Sequence, residues 1–202
     1  MQEKIIAVGA EAVLIENNGF IIKRRNSKKY RYSLLDERLR KQRTKREKKL
    51  IEKASKLVRV PKIFELDDKY SIKMELIRGK KLSECLDNLP NRMQICEEIG
   101  KNIALLHDNN IIHGDLTTAN ILLLEEGALC FIDFGLGFES SKIEDKAVDL
   151  HLLKEALKAR HIYEYDVFFK KILEGYRFSK SYEETIRRLE KVEKRGRYKG
   201  AV

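Results

Sequence analysis

Residues Ile111–Gly135 read IIHGDLTTANILLLEEGALCFIDFG. Two short polar clusters, HGDLTTAN and DFG, are set into an otherwise apolar run. The flanking segments ILLL and ALCFI have the composition of strands, and Glu125–Gly127 supply a turn between them. A unit of this kind puts Asp115 and Asn120 on one tight loop and Asp133 at the end of a strand. A magnesium ion takes oxygen ligands, often one or two carboxylates together with phosphate oxygens and water. A phosphoryl group in transfer needs positive charge around it and a carboxylate that orients the attacking hydroxyl or water. Asp115, Asn120 and Asp133 supply such an oxygen set.

Working outward, IIAVGAEAVLIENNGFIIKRR reads as two strands around a turn at Asn17–Gly19, where Asn-Gly permits positive φ. The following SLLDERLRKQRTKREKKLIEKASKLVRV is a long helical pattern, with Glu47, Ile51, Ala54 and Val58 on one stripe. Leu50 and Leu57 widen it. Pro61 stops it ahead of a second strand pair in KIFELDDKYSIKMELIRG, with a turn near Asp67–Lys69. Composition changes after Gly79. A helical stretch broken by Pro90 leads into the opening segment, and from Glu144 onward the pattern is helical again. The boundary between the halves falls near Leu76–Gly79.

The chain has 202 residues, of which 43% are hydrophobic and 37% charged, enough for one sizeable core or two small lobes around a cleft. A formal net charge of +10 favours anionic partners, nucleic acid first, against the alternative of a heavily charged thermophile-like surface. The three cysteines, Cys85, Cys96 and Cys130, form no CxxC pair and read as small buried hydrophobes of a reduced, cytoplasmic protein. The histidines lack ligand spacing, which argues against structural zinc. No signal-peptide pattern and no membrane-spanning run are present, so no membrane association is expected.

HGDLTTAN resembles the catalytic loop HRDLxxxxN of the protein-kinase-like superfamily, and IDFG matches its magnesium-binding DFG. The resemblance implies an α+β, bilobal protein-kinase-like fold. Residues 1–77 are then a small β-rich N-lobe with one long helix, 78–194 a reduced, mostly helical C-lobe, and 195–202 a basic flexible tail. It implies ATP and Mg²⁺ as cofactors, Asp115 as the catalytic carboxylate, and Asn120 and Asp133 as metal ligands. Lys23, at the end of FIIK, takes the place of the phosphate-holding lysine. Glu47, on the apolar stripe, is its ion-pair partner; otherwise both are surface charges. KMELIRG takes the place of the hinge, with Met74 as gatekeeper and the Glu75 carbonyl and Ile77 amide at the adenine edge. His113 packs behind the loop, and Asp149 braces it.

Several departures narrow the family. The Gly-rich loop is replaced by GAEA, so Gly9, Ala10 and Glu11 stand where the phosphates would lie. HRD has become HGD, removing the arginine that reads an activation-loop phosphate, and phosphorylation-dependent activation is not expected. Only GLGFESSKIE separates Asp133 from EDKAVDL, so the peptide-docking platform is reduced or absent. With IIKRR, KKYRY, LDERLRKQRTKRE, IDFGLG and a terminal RGR, these features resemble the kinase subunit of the KEOPS complex. That resemblance implies an atypical serine/threonine protein kinase and ATPase with a role in making threonylcarbamoyl adenosine on tRNA. Its implied partners are the threonylcarbamoyl transferase subunit and a small auxiliary subunit. The basic residues Arg38–Lys49 and the tail, with Arg195, Arg197, Tyr198 and Lys199, are then candidates for tRNA contact, against solvated charge. Two other readings stay open: a small-molecule kinase of the aminoglycoside or choline type, and a non-catalytic kinase-fold scaffold and tRNA clamp.

Overall fold

Asn18 and Gly19 take φ of 52° and 78°, which matches the twist needed to close a two-residue hairpin. They join β2 (Ala12–Asn17) to β3 (Phe20–Arg25), with Asn17 opposite Phe20 and Leu14 opposite Lys23. Ahead of them lies a separate strand, β1 (Lys4–Val8), where one continuous strand is expected from the sequence. The chain turns back at Gly9–Glu11, and the Gly9 N–H donates to the Ala12 carbonyl at 2.9 Å. The computed structural model describes residues 3–28 and 30–197.

Helix α1 (Ser33–Ala54) buries Asp36, Thr44, Glu47, Leu50, Ile51 and Ala54. Most of these lie on the stripe expected from helical spacing. The helix stops at Ala54, yet Val58 and Val60 stay buried in the loop that follows. Next come β4 (Ile63–Phe64) and β5 (Ser71–Glu75), and the sheet order is β1-β2-β3-β5-β4. Lys23 therefore sits on the central strand, paired across to Ile72.

Strand β6 (Gly79–Lys81) leaves that sheet and pairs with β8 (Ile121–Leu124), which pairs in turn with β9 (Leu129–Phe131). The helices α2 (Leu82–Cys85), α3 (Arg92–Asp108), α4 (Ile143–Arg160), α5 (Tyr165–Tyr176) and α6 (Tyr182–Arg197) complete the second half. Close approach of α3 and α5 rests on two glycines. A Cβ on Gly100 would stand 1.9 Å from the Ile172 carbonyl, and one on Gly175 the same distance from that of Glu97.

The main apolar core crosses between the halves. Leu50, Ile51 and Ala54 of α1 belong to the same cluster as Phe131, Phe134, Leu153 and Phe168. Strand β10 (Phe138–Glu139) pairs antiparallel with β7 (Ile111–Ile112), and the Glu139 carboxylate ion-pairs with Lys53 at 2.5 Å and Lys49 at 3.3 Å. The segment after DFG is thereby fastened to α1.

Two expectations are corrected. Arg195 and Arg197 belong to α6, not to a tail, because Arg195 ion-pairs at 2.9 Å with Glu144 of α4 and the helix continues past it. Tyr198, Lys199 and Gly200 lie outside the described residues. Cys85 is half-buried, whereas Cys96 and Cys130 are fully buried, with burial pushing both thiols up to about 12.

Candidate active site

Lys23 and Arg25 alternate to the same face of β3, as residues two apart on a strand must. Both are buried there against Glu47, which is 1% exposed. The Lys23 Nζ donates to Glu47 Oε1 at 2.7 Å, and Arg25 Nη2 donates to Oε2 at 2.5 Å. The second cation was missed in the sequence, although its signal is the two-residue alternation in IIKRR. Burial pulls the Lys23 ammonium down, but the carboxylates of Glu47 and Asp133 outweigh it and hold its pKa above the ordinary lysine value.

Asp133 comes from the other half. Its φ of 63° is unusual for a residue with a side chain and turns the carboxylate off the end of β9. Oδ1 accepts from Lys23 Nζ at 2.7 Å and from the Gly135 N–H at 3.1 Å. Burial pushes the Asp133 carboxyl up, yet Lys23 beside it keeps its pKa below the usual carboxylate range. Lys23 thus joins the sheet, α1 and the end of β9 through one ammonium group.

The HGDLTTAN loop is held from behind. Asp149 of α4 accepts from the N–H groups of His113 and Gly114, each at 2.9 Å, and from His107 Nε2 at 3.2 Å. His107 Nδ1 pairs in turn with the Tyr176 hydroxyl at 2.9 Å. Burial alone would push the Asp149 carboxyl up; the donors from His107 and the loop backbone bring it below the usual range. Gly114 has φ of 77°, and a Cβ there would stand 2.5 Å from the Leu136 carbonyl, so neither arginine nor any other side chain fits without movement. His113 Nε2 donates to the Ile132 carbonyl at 3.1 Å, with its ring against Phe134, and burial pushes the imidazole below its ordinary pKa. The roles expected for Asp149 and His113 correspond to these contacts.

Within the loop, Asn120 Nδ2 donates to both the carbonyl and Oδ2 of Asp115, at 2.9 Å each. A second anchor had left no motif to find. The Thr118 hydroxyl lies 3.1 Å from His161 Nε2, and His161 Nδ1 lies 2.9 Å from Asp87 Oδ1. His161 is 2% exposed and Thr118 1%.

Two adjoining hollows surround these groups. The larger, about 430 Å³, has apolar walls that include Leu14, Ile21 and Leu122, with Met74, Glu75 and Ile77 along one side. Lys23, Glu47, Asn120 and Asp133 also line it. The Glu75 carboxylate is turned aside and held by Arg59 at 2.9 and 2.6 Å, while Ile77 is half-buried. The second hollow, about 300 Å³, is lined by Gly9, Ala10 and Glu11 together with Lys23, Asp115 and Asp133. Glu11 is ion-paired to Arg43 at 2.5 Å, so its charge is already offset. Every residue expected at the site therefore lines one of these hollows.

Residues 16–152 match the protein kinase domain family. Over 186 residues the chain is 42% identical to the KEOPS complex subunit Bud32 of Pyrococcus abyssi (strain GE5 / Orsay), covering 89% of this chain and 84% of that one. It is 39% identical over 207 residues to the EKC/KEOPS complex subunit BUD32 of Enterocytozoon bieneusi (strain H348), covering 96% and 98%. The chain belongs to the Bud32 family. The chain is also 38% identical over 206 residues to a probable bifunctional tRNA threonylcarbamoyladenosine biosynthesis protein of Methanobrevibacter smithii, a match that takes in 98% of this chain but 37% of that protein. Among solved structures, the Rio2 kinase of Chaetomium thermophilum in its ADP/Mg²⁺-phosphoaspartate complex superposes with a TM-score of 0.64 at 16% identity, over 94% of this chain and 70% of that one. That likeness places this Bud32-family chain in the protein kinase fold.

Proposed function

We propose that this chain is an atypical serine/threonine protein kinase and ATPase, dependent on ATP and magnesium, acting within the assembly that makes threonylcarbamoyladenosine on tRNA. The observation that carries the proposal is Lys23, 2.7 Å from both Glu47 and Asp133, at the meeting of the two hollows. A buried lysine held between carboxylates from separate elements is pre-positioned for a polyphosphate.

The larger hollow suits a flat apolar ring, with the Glu75 carbonyl and Ile77 amide available to its polar edge. Gly9, Ala10 and Glu11 cover the phosphates from above. Lys23 offsets charge on the phosphates, and Glu47 keeps Lys23 in place. Asp115, steadied by Asn120, accepts a hydrogen bond from a serine hydroxyl or a water and so aims its oxygen at the terminal phosphorus.

The residues present fit a magnesium ion. Asn120 spends its Nδ2 on Asp115, which leaves Oδ1 for a cation, and Asp133 spends only Oδ1 on protein donors. No group of three or more His, Cys, Asp or Glu able to hold a metal occurs among the described residues, so the remaining ligands come from phosphate oxygens and water. When bound, the ion neutralises charge on the phosphates. The names of the relatives support the setting: KEOPS subunits on one side, and on the other a longer protein in which a region like this one covers 37% of a bifunctional chain. A threonylcarbamoyl transferase subunit and a small auxiliary subunit are the proposed protein partners, with tRNA as the nucleic-acid partner. No helix of the described residues is long and apolar enough to cross a membrane.

The test is ATP turnover with and without tRNA. Asp115→Ala should lose on the order of 10²-fold or more of turnover while still binding ATP. Asp133→Asn should lose the magnesium dependence of nucleotide binding. Turnover at the wild-type rate in the first variant removes Asp115 from the reaction, and an unchanged magnesium titration in the second removes Asp133 from the metal.

A further inference from the structure

Glu47 carries two cations, one on each oxygen. Lys23 Nζ donates to Oε1 at 2.7 Å and Arg25 Nη2 to Oε2 at 2.5 Å. Both cations come from β3 and the carboxylate from α1, so the cluster ties the helix to the sheet at the edge of the cleft. Arg25 is 5% exposed and stands at the end of its strand, with Ala12, the residue after the Gly9–Glu11 turn, opposite it. It lines the second hollow beside Lys23. A Cβ on Gly135 would stand 3.3 Å from Lys23 Nζ and 3.6 Å from Arg25 Nη2, so both cationic heads sit against the DFG segment.

The two cations differ in what else they serve. An ammonium has three N–H donors, and Lys23 spends two of them on Glu47 and Asp133. A triphosphate in the cleft offers that ammonium several negative oxygens and draws it away from Glu47. Arg25 is not divided in this way: among the described residues, Glu47 is the carboxylate it pairs with. Glu47 is 1% exposed, so water cannot stand in for a lost partner, and a buried carboxylate stripped of its cation is strongly disfavoured.

We propose that Arg25 is a positioning residue: it holds Glu47, and through it α1, in place while Lys23 turns to the phosphates. The helix then stays docked with and without nucleotide, and Lys23 is free to spend its charge on the nucleotide. A second lysine would serve less well. The planar guanidinium presents its N–H groups in a fixed fork, whereas an ammonium on a flexible stem would itself follow the phosphates. The inference rests on the reading that the cleft takes ATP.

Hydrogen exchange of the α1 amides at residues 44–54 is followed by mass spectrometry, with and without magnesium and the non-hydrolysable analogue adenylyl imidodiphosphate, and ATP kinetics are measured in parallel. A bound ligand ordinarily slows exchange, and wild type should exchange no faster with the analogue than without it. Lys23→Met without nucleotide should keep α1 protection within about threefold of wild type, since Arg25 still covers Glu47. Arg25→Met should invert the ordinary effect, with the analogue speeding α1 exchange about tenfold. Its KM for ATP should rise about tenfold with kcat within about threefold, because Lys23 is then divided between Glu47 and phosphate. Arg25→Lys should recover part of both losses. Arg25→Met/Glu47→Gln, which removes the charge together with its partner, should exchange no faster with the analogue than without it. Should Arg25→Met fail to fold, Lys23→Met and Arg25→Lys carry the same comparison. Loss of α1 protection in Lys23→Met overturns the proposal. So does α1 exchange in the Arg25 variants that is faster than wild type by one factor with and without the analogue, which leaves Arg25 a fold-stabilising group. A wild-type chain that does not bind the analogue overturns the reading of the cleft, on which the Lys23→Met comparison without nucleotide does not depend.

Discussion

Asp149 shows how much can rest on one buried carboxylate. It is 1% exposed and accepts from the His113 and Gly114 backbone and from His107. Its folded pKa lies below the ordinary value despite burial, so its stabilising effect is present above the unfolded pKa of about 3.9 and is lost as pH falls through the folded one. Asp133 has the same sign, while the raised Lys23 acts oppositely: its effect is present below about 10.4 and fades as pH rises through the folded value. Urea midpoints should therefore fall steeply once pH drops below about 4, and Asp149→Asn should flatten that slope, because an amide does not titrate there. Equal acid slopes in the two chains would dismiss Asp149 as a source of the effect. That Asp115, Asn120 and Asp133 come together at adjoining hollows was legible from the motif spacing. Arg25 was not, since a second arginine in IIKRR looks like any surface cation until Glu47 is placed beneath it.

At the scale of elements, the catalytic-type loop is gripped at two points. One is the Asp149 brace, signalled by the AVDL segment. The other is the Thr118–His161–Asp87 chain, which joins the loop to the residue after α4 and to the short turn after α2. Nothing in the sequence marks it, because its members lie 43 and 74 positions apart. His161→Leu and Thr118→Val should each lower kcat for ATP turnover by about tenfold with little change in KM for ATP, and cost about 1–3 kcal/mol of stability. A rise in KM with kcat intact would place the chain's influence on nucleotide binding instead. Helix α1 was readable in its place and buried face but not in its extent: the expected pattern ran on to Val58 and beyond, whereas the helix ends at Ala54 and Val58 and Val60 are buried from the loop that follows. The end of α6 was misjudged: Gly196 reads as a terminator, but the Arg195–Glu144 pair carries the helix beyond the expected boundary.

For the molecule as a whole, the change of composition near Leu76–Gly79 lies between β5, the last strand in the first sheet, and β6, which pairs with β8. Composition does not reveal that the apolar core runs through that boundary, from Leu50 and Ile51 to Phe131, Phe134 and Leu153. The backbone reinforces the link, as the Phe131 N–H donates to the Arg59 carbonyl at 2.9 Å. Heat unfolding should therefore be one cooperative transition, with aromatic near-UV and backbone far-UV signals superimposing. Two separated transitions would mean that each half holds together without the other. The same continuity gives the Glu139 contacts with Lys49 and Lys53 a wider meaning. In a switchable enzyme, the stretch after DFG is where a rest position would be stored. Here it is woven into β-structure and pinned to the helix that bears Glu47, so a shift of this stretch would have to break the pairing with Ile111–Ile112 and drag on that helix at the same time.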